Sequence, residues 1–212
     1  MKPRNLRRTE ATETNEQRER PIIFSGPMVR AILEDRKTQT RRVIKPQPTH
    51  FHDFGNGRLP CKSDMTKTPS CADEIPCPYG QPRDRLWVRE TWKPHIQTSI
   101  HSTAIYKADY ALSGGPGPWK PSIFMPRWAS RLTLEIAGIR VERVQEITEK
   151  DAVAEGIIVQ PGHLWWPLGS KEPMKQYTHR QAFSALWDSI NAKRGFGWDK
   201  NPWVWVIEFR KR

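Results

Sequence analysis

The chain has 212 residues and a mass of 24.7 kDa, with 35 lysines and arginines against 23 aspartates and glutamates, a formal charge of +12 and a pI of ≈ 9.9. That length suits one ordinary domain with loops to spare, and ten Trp with seven Phe supply enough apolar area for a core despite a mean hydropathy of -0.75, which excludes disorder throughout. The absence of any apolar run near the roughly 18 residues of a membrane span, an amino end without the plan of a signal peptide, and an odd count of three cysteines together point to a cytoplasmic protein.

Residues 1 to 20 carry six basic side chains and four acidic ones, and their only hydrophobic residues are Met1, Leu6 and Ala11, so they are expected to form a mobile arm. Of the +12, only +2 belongs to this arm and +10 to residues 21 to 212. A folded body that basic favours polyanions, and nucleic acid or nucleotide phosphates are the expected partners, with no membrane.

Folding is expected to begin at Pro21. Pro21-Ile22-Ile23-Phe24 reads as a short strand, and Ser25 precedes a helix whose Val29, Ile32 and Leu33 share one face, ending near Asp35. Residues 38 to 44 look extended and are closed by Lys45-Pro46-Gln47-Pro48. From about 49 to 84 the chain is rich in Pro, Gly, Asp and Ser, which predicts a long loop insertion, a functional flap or a metal-tied segment.

Strands are predicted over 85 to 92, 105 to 108 more weakly, 132 to 136 and 141 to 144, with a turn-rich loop over 113 to 118. Thr148 opens a short helix with an acidic first turn, and Gly156 stops it. Phe183, Leu186, Trp187 and Ile190 mark the apolar face of a helix beginning near Thr178. Trp203 to Phe209 is apolar on both faces and reads as a central strand. Six or seven strands and about three helices, with strands too close for repeated βαβ units, predict an α+β fold built on a small mixed, mostly antiparallel barrel.

The densest chemistry lies in Glu34-Asp35-Arg36-Lys37-Thr38-Gln39-Thr40-Arg41-Arg42. A lysine partly withdrawn from water and crowded by cations loses proton affinity, so Lys37 is a candidate base or carbonyl-polarising group. This run, with Phe24-Ser25-Gly26-Pro27-Met28-Val29-Arg30-Ala31-Ile32-Leu33 before it, resembles the ASCH domain of the PUA-like superfamily. Cys77-Pro78-Tyr79-Gly80, Asp84 to Glu90, Met125 to Arg131 and Asn201 to Phe209 are similar to the version carried by phages and prophages, so the resemblance runs from about Pro21 to Phe209. The family signature Gly-x-Lys-x-x-(Thr or Glu) falls on Asp35 to Thr40, with Asp35 in the place of the glycine, and Arg83 stands where relatives tend to have glycine before Asp84. Aspartate tolerates the left-handed backbone that a glycine there would supply, at a cost of about 1 kcal/mol or less.

The resemblance implies a PUA-like barrel and, for one bacterial branch similar in patches, hydrolysis of the amide of N4-acetylcytidine. That branch's catalytic lysine and threonine correspond to Lys37 and Thr40, and its glutamate to Glu155 of Thr148-Glu149-Lys150-Asp151-Ala152-Val153-Ala154-Glu155. Amide hydrolysis needs a nucleophile, a base and positive charge near the oxyanion. Thr40 is the candidate nucleophile or positions the water, Lys37 the base or carbonyl polariser, and Glu155 the proton relay to the leaving amine. Arg41 and Arg42 are candidate substrate-binding groups, Arg42 also a support for Glu155. Lys37 and Thr40, three apart, would face opposite sides of a regular strand, so a turn is expected between them.

Trp165, Trp166 and Trp198 fall in predicted loops, and Trp166 and Trp198 are candidates for stacking on a base, whereas Trp87, Trp187, Trp203 and Trp205 have core spacing. The chemistry above needs no cofactor. Cys61, Cys71 and Cys77 with His50 or His52 form a possible zinc set, but their gaps do not match close Cys-x-x-Cys pairing, so reduced, unligated thiols are the expectation. The function expected is an amidohydrolase acting on an acylated pyrimidine nucleoside, with an RNA- or nucleic-acid-binding module without chemistry, or a ribonuclease, as the alternatives.

Overall fold

A computed structural model describes residues 17–54, 57–61, 74–97, 102–110, 115, 117–159 and 178–212. In chain order these form β1 (Glu19–Ile23), α1 (Gly26–Leu33), β2 (Gln39–Val43), β3 (His50–Phe54), β4 (Gly57–Cys61), β5 (Arg85–Arg89), β6 (Trp92–Gln97), β7 (Ser102–Tyr106), β8 (Thr133–Arg143), α2 (Glu149–Ala154), α3 (His179–Asn191) and β9 (Trp203–Lys211), with short 3-10 turns between them. The class is α+β with mostly antiparallel pairing, as expected. Five strands form one sheet in the order β1-β5-β8-β9-β2, in which only β1 and β5 are parallel, and β3-β4 and β6-β7 are separate antiparallel pairs.

β9 explains the layering, because a strand apolar on both faces must be covered on both. Trp205, Ile207 and Phe209 turn to one core with Ile22, Phe24, Val29, Ile32, Leu134 and Ile136, the side covered by α1. Val204 and Val206 turn to the other, with Val144, Ile147, Phe183 and Trp187 beneath α2 and α3. Each core then buries large side chains at about 1.5–3 kcal/mol apiece.

The sheet is curled, and its outer strands approach one another through a side chain. Arg42 Nη2 of β2 donates to the Ile23 carbonyl of β1 at 2.6 Å, and the Arg42 guanidinium lies 5.2 Å from the centre of the Phe24 ring. Among the described residues no ladder joins β1 to β2, so this seam of the expected barrel is open.

Several boundaries differ from those the pattern predicts. β1 starts at Glu19 rather than Pro21, because Arg85 N–H donates to the Arg18 carbonyl at 2.8 Å and Arg18 N–H to Asp84 Oδ1 at 3.0 Å. Residues 1–16 of the expected arm lie outside the described residues. The expected 49 to 84 loop contains the β3-β4 hairpin, whose Phe51 packs 4.2 Å from the Trp203 ring, although Pro60 in β4 makes the segment read as a breaker. The strand predicted over 85 to 92 breaks at Glu90, which is buried and accepts from both Nε and Nη2 of Arg131. The two strands predicted over 132 to 136 and 141 to 144 are one, β8, continued through a bulge between Ile136 and Gly138. Among the described residues no helix is long and apolar enough to cross a membrane.

Candidate functional site

Two helix exits bring the site together. α1 ends where Asp35 adopts φ 56, the left-handed conformation expected of it, and the N–H groups of Arg36 and Lys37 both donate to the Ala31 carbonyl at 2.9 Å. The chain is thereby reversed before it enters β2, so Lys37 lies ahead of the strand and Thr40 within it, and the turn precedes both residues rather than separating them. Arg83 likewise has φ 79. From the other side, α2 is started by a reciprocal cap between Thr148 and Asp151 and ends at Glu155, with Gly156 at φ 85 turning the chain away. Thr38 N–H donates to the Ala154 carbonyl at 2.8 Å, and Lys37 and Glu155 form an antiparallel bridge. Gly156 is required here for space as well as φ, since a Cβ on it would lie 2.9 Å from Ala31 Cβ and 3.0 Å from Lys37 Cβ.

Lys37 Nζ donates to Glu155 Oε2 at 2.7 Å and to the Glu155 carbonyl at 2.9 Å, with Lys37 2% exposed and Glu155 6%. Arg41 Nη1 donates to Glu155 Oε1 at 3.2 Å, so both carboxylate oxygens face a cation. Burial pulls the Lys37 ammonium below its usual range; the adjacent Glu155 carboxylate opposes this, and Arg42 and Arg41 add to it.

Arg41 is itself fully buried and tied to two more carboxylates, Glu142 Oε2 at 3.0 Å and Asp151 Oδ2 at 3.4 Å. Gln39 Nε2 donates to the carbonyl and Oδ1 of Asp151 at 3.0 and 3.2 Å, and Arg140 Nη2 reaches Asp151 Oδ1 at 3.1 Å. Partial burial would raise the Asp151 carboxyl, but hydrogen bonds from the Thr148 hydroxyl and N–H and from Gln39, with the Arg41 charge, outweigh it and hold it at about 2. Glu155 is thus the inner end of a charge network anchored on α2, β2 and β8.

Glu155, Thr40, Arg41 and Arg42 line a cavity of about 550 Å³ between β2, α3 and the segment 75 to 79, within the ~300–1,000 Å³ of small-molecule sites. Thr40, 3% exposed, lies near its floor, and Tyr79, Trp187 and Trp205 give it aromatic wall. Lys37 does not line this cavity. It stands behind Glu155 and borders a smaller hollow of about 260 Å³ with Ile32, Asp35, Thr38 and Phe209. A hydroxyl and a carboxylate therefore face the cavity, and the ammonium supports the carboxylate.

The remaining predicted residues divide. Arg41 makes the direct contact with Glu155, three carboxylates occupy its guanidinium, and the residue also lines the cavity. Arg42 lines the cavity but directs Nη2 to the Ile23 carbonyl. Trp198 is a correction: it packs against Phe183 with ring centres 6.3 Å apart and carries the Arg180 guanidinium at 5.3 Å, and it is absent from the cavity wall. Trp87 is also not a core residue; it is half-buried on the outer face beneath Arg89 at 4.8 Å and Arg127 at 6.0 Å.

Trp166, Cys71 and the side chain of His52 lie outside what the structure describes. Of the zinc candidates that are described, Cys61 is buried at the end of β4, and Cys77 is half-buried with its thiol pushed up by burial. Among the described residues no group of three or more Cys, His, Asp or Glu side chains could hold a metal ion.

The sequence reading missed Tyr79, Lys45, Asn191 and Arg194 as cavity residues, and Asp151 and Glu142 as partners of Arg41. The Thr148-x-x-Asp151 cap was the one available signal among these, since an aspartate held in a cap is already turned back along its helix. Comparison with protein-family models, with curated proteins and with solved structures gave no match.

Proposed function

We propose that this protein is an amidohydrolase that removes the acyl group from an N4-acylated cytidine, N4-acetylcytidine being the simplest such substrate, and that it works in the cytoplasm. The observation that carries the reading is the buried Lys37–Glu155 pair, 2.7 Å apart, whose carboxylate opens with Thr40 onto a cavity of nucleoside size. The resemblance of the segment from Asp35 to Thr40 and of the stretch ending at Glu155 to the ASCH domain supports it.

In this reading the Thr40 oxygen attacks the acyl carbon while Glu155 takes the hydroxyl proton. The carbonyl π electrons move to oxygen, where the net positive charge of the cavity lining offsets the negative charge that develops. As the C–N4 bond breaks, Glu155 returns the proton to N4, leaving cytidine and an ester on Thr40. A water then gives its proton to Glu155, adds to the ester, and releases acetate with the proton returned to Thr40. Lys37 and Arg41 act through Glu155, holding both its oxygens in place.

The test is acetate release from N4-acetylcytidine by the full chain. Thr40→Ala and Glu155→Gln are expected to lower the rate by at least roughly 10²-fold. No release by the unaltered protein, or undiminished release by Thr40→Ala, would remove the assignment. The second reading, nucleic-acid binding without chemistry, is favoured by the arginines laid over Trp87, and it gains if labelled RNA is retained while no acetate forms.

A further inference from the structure

The cavity has an uneven distribution of charge. Its floor is closed by Glu155 and Arg41, whose charges are taken up by one another and by Lys37, Glu142 and Asp151, while its exposed rim carries Lys45 from the segment after β2 and Arg194 from the turn after α3. The two segments are joined, because Lys45 Nζ lies 5.0 Å over the Phe196 ring and Trp187 Nε1 donates to the Phe196 carbonyl at 2.8 Å. Arg42, half-buried between floor and rim, has a buried Nε with no hydrogen-bond partner. Burial lowers its pKa; Tyr79 and the Glu155 carboxylate oppose this, and the Arg194 charge adds to it. Among the described residues neither Lys45, Arg194 nor Arg42 has a carboxylate within ion-pair distance, in a chain where Arg36, Arg41, Arg127, Arg131 and Arg140 all do. Among the described residues Glu155 is the only carboxylate in the cavity wall.

Lys45, Arg194 and Arg42 make no ion pair among the described residues and set three charges against the single carboxylate of Glu155, which Lys37 and Arg41 already hold, so an anion joining them relieves their repulsion. We infer that Arg42, Lys45 and Arg194 form a phosphate subsite, so that the ligand of this cavity is a pyrimidine nucleoside bearing a phosphate ester on its sugar. Arg42, whose Nη2 is held by the Ile23 carbonyl, contributes its charge and its remaining N–H groups and Lys45 a mobile point charge, and a water-exposed rim leaves the ester accessible from solvent. The base enters toward Glu155 and Thr40, between the aromatic walls, and the sugar phosphate stays at the rim. This deepens the proposed function and rests on it for the identity of the base. The phosphate preference can be measured with reaction products, without turnover.

The experiment is calorimetric titration of the full chain with cytidine, with cytidine 5′-monophosphate and with a short oligocytidylate at low and at high salt. The monophosphate is expected to bind at least roughly tenfold more tightly than cytidine at low salt, as one charge-assisted contact warrants, and the difference should shrink as salt is added. Lys45→Ala and Arg194→Ala, both at exposed positions, are each expected to lower that ratio several-fold while leaving cytidine binding unchanged, and Arg194→Lys to restore part of it. Arg210→Ala, an exposed cation outside this cavity, serves as the control for bulk charge and is expected to keep the ratio. Tighter binding of the oligocytidylate than of the monophosphate assigns the subsite to a polymer backbone, and equal or weaker binding to a free nucleotide; both support it. Equal affinity for cytidine and its monophosphate, a ratio that survives in both rim variants, or no binding of any of the three overturns it. A preserved phosphate preference with no acetate release would instead sink the amidohydrolase and leave the subsite standing.

Discussion

The ammonium of Lys37 and the carboxylate of Glu155 lie 2.7 Å apart although 118 positions separate them in the chain. The pair is buried from solvent, and its second cation, Arg41, occupies the other carboxylate oxygen. A buried ion pair is costly to half-remove, because the remaining charge has neither water nor partner. Lys37→Ala is therefore expected to destabilise the protein by about 3–5 kcal/mol, moderated toward the lower figure by Arg41. Urea unfolding measures this; a loss under about 1 kcal/mol would show that Glu155 does not depend on Lys37. Activity in that variant must be compared at temperatures where it is still folded.

Gly156 sits at φ 85 with Ala31 and Lys37 against it. Gly156→Ala adds both a disfavoured backbone conformation and a methyl group at 2.9 Å from another carbon, so a loss of about 2–4 kcal/mol is expected. The same variant should displace Lys37 and reduce acetate release. Wild-type stability in this variant would mean that the α2 exit is looser than described.

Asp151 links stability to acid. Its folded-state pKa of about 2 lies below the ordinary 3.8, so the charged form favours the fold. That contribution is fully present above about pH 4 and is lost as pH falls through 2. After allowance for solvent screening it amounts to about 1–2 kcal/mol. Asp151→Asn should unfold at lower urea than the unaltered protein at pH 6, and the gap between the two should narrow as pH falls from 4 toward 2. A gap independent of pH would exclude the charge as its cause.

Arg83 is an exposed residue held at φ 79, and its N–H donates to the Ile136 carbonyl at 2.8 Å. Glycine would keep that hydrogen bond and relieve the backbone. Arg83→Gly is thus expected to raise stability by about 0.5–1 kcal/mol, seen as a higher melting temperature. A lower one would show that the arginine side chain contributes more than the strain it brings.

Much of the framework was legible because it depends on local pattern. The apolar run of β9 marked an inner strand, Thr148 marked a helix start as a cap, the apolar face of Phe183 to Ile190 marked another near Thr178, and Asp35, which the resemblance puts in the place of a glycine, marked a left-handed turn. Local pattern misled where a side chain found a distant partner. Trp198 looked like an exposed loop residue and instead packs on Phe183, and Glu90 interrupts a run that reads as one strand because Arg131 holds it.

By itself the amino-acid sequence determined the α+β class, the helix exits at Asp35 and Gly156, and the types of group available for chemistry, since periodicity, capping and backbone preference act over a few residues. Only the tertiary structure decided that Glu155 rather than Lys37 faces the cavity, that Arg41 makes the direct contact with it, and that Lys45 and Arg194 share one rim. Those relationships come from pairing between β2 and β9 and from packing α2 and α3 on the sheet, and the direction in which a buried charge points is set by partners more than a hundred residues away.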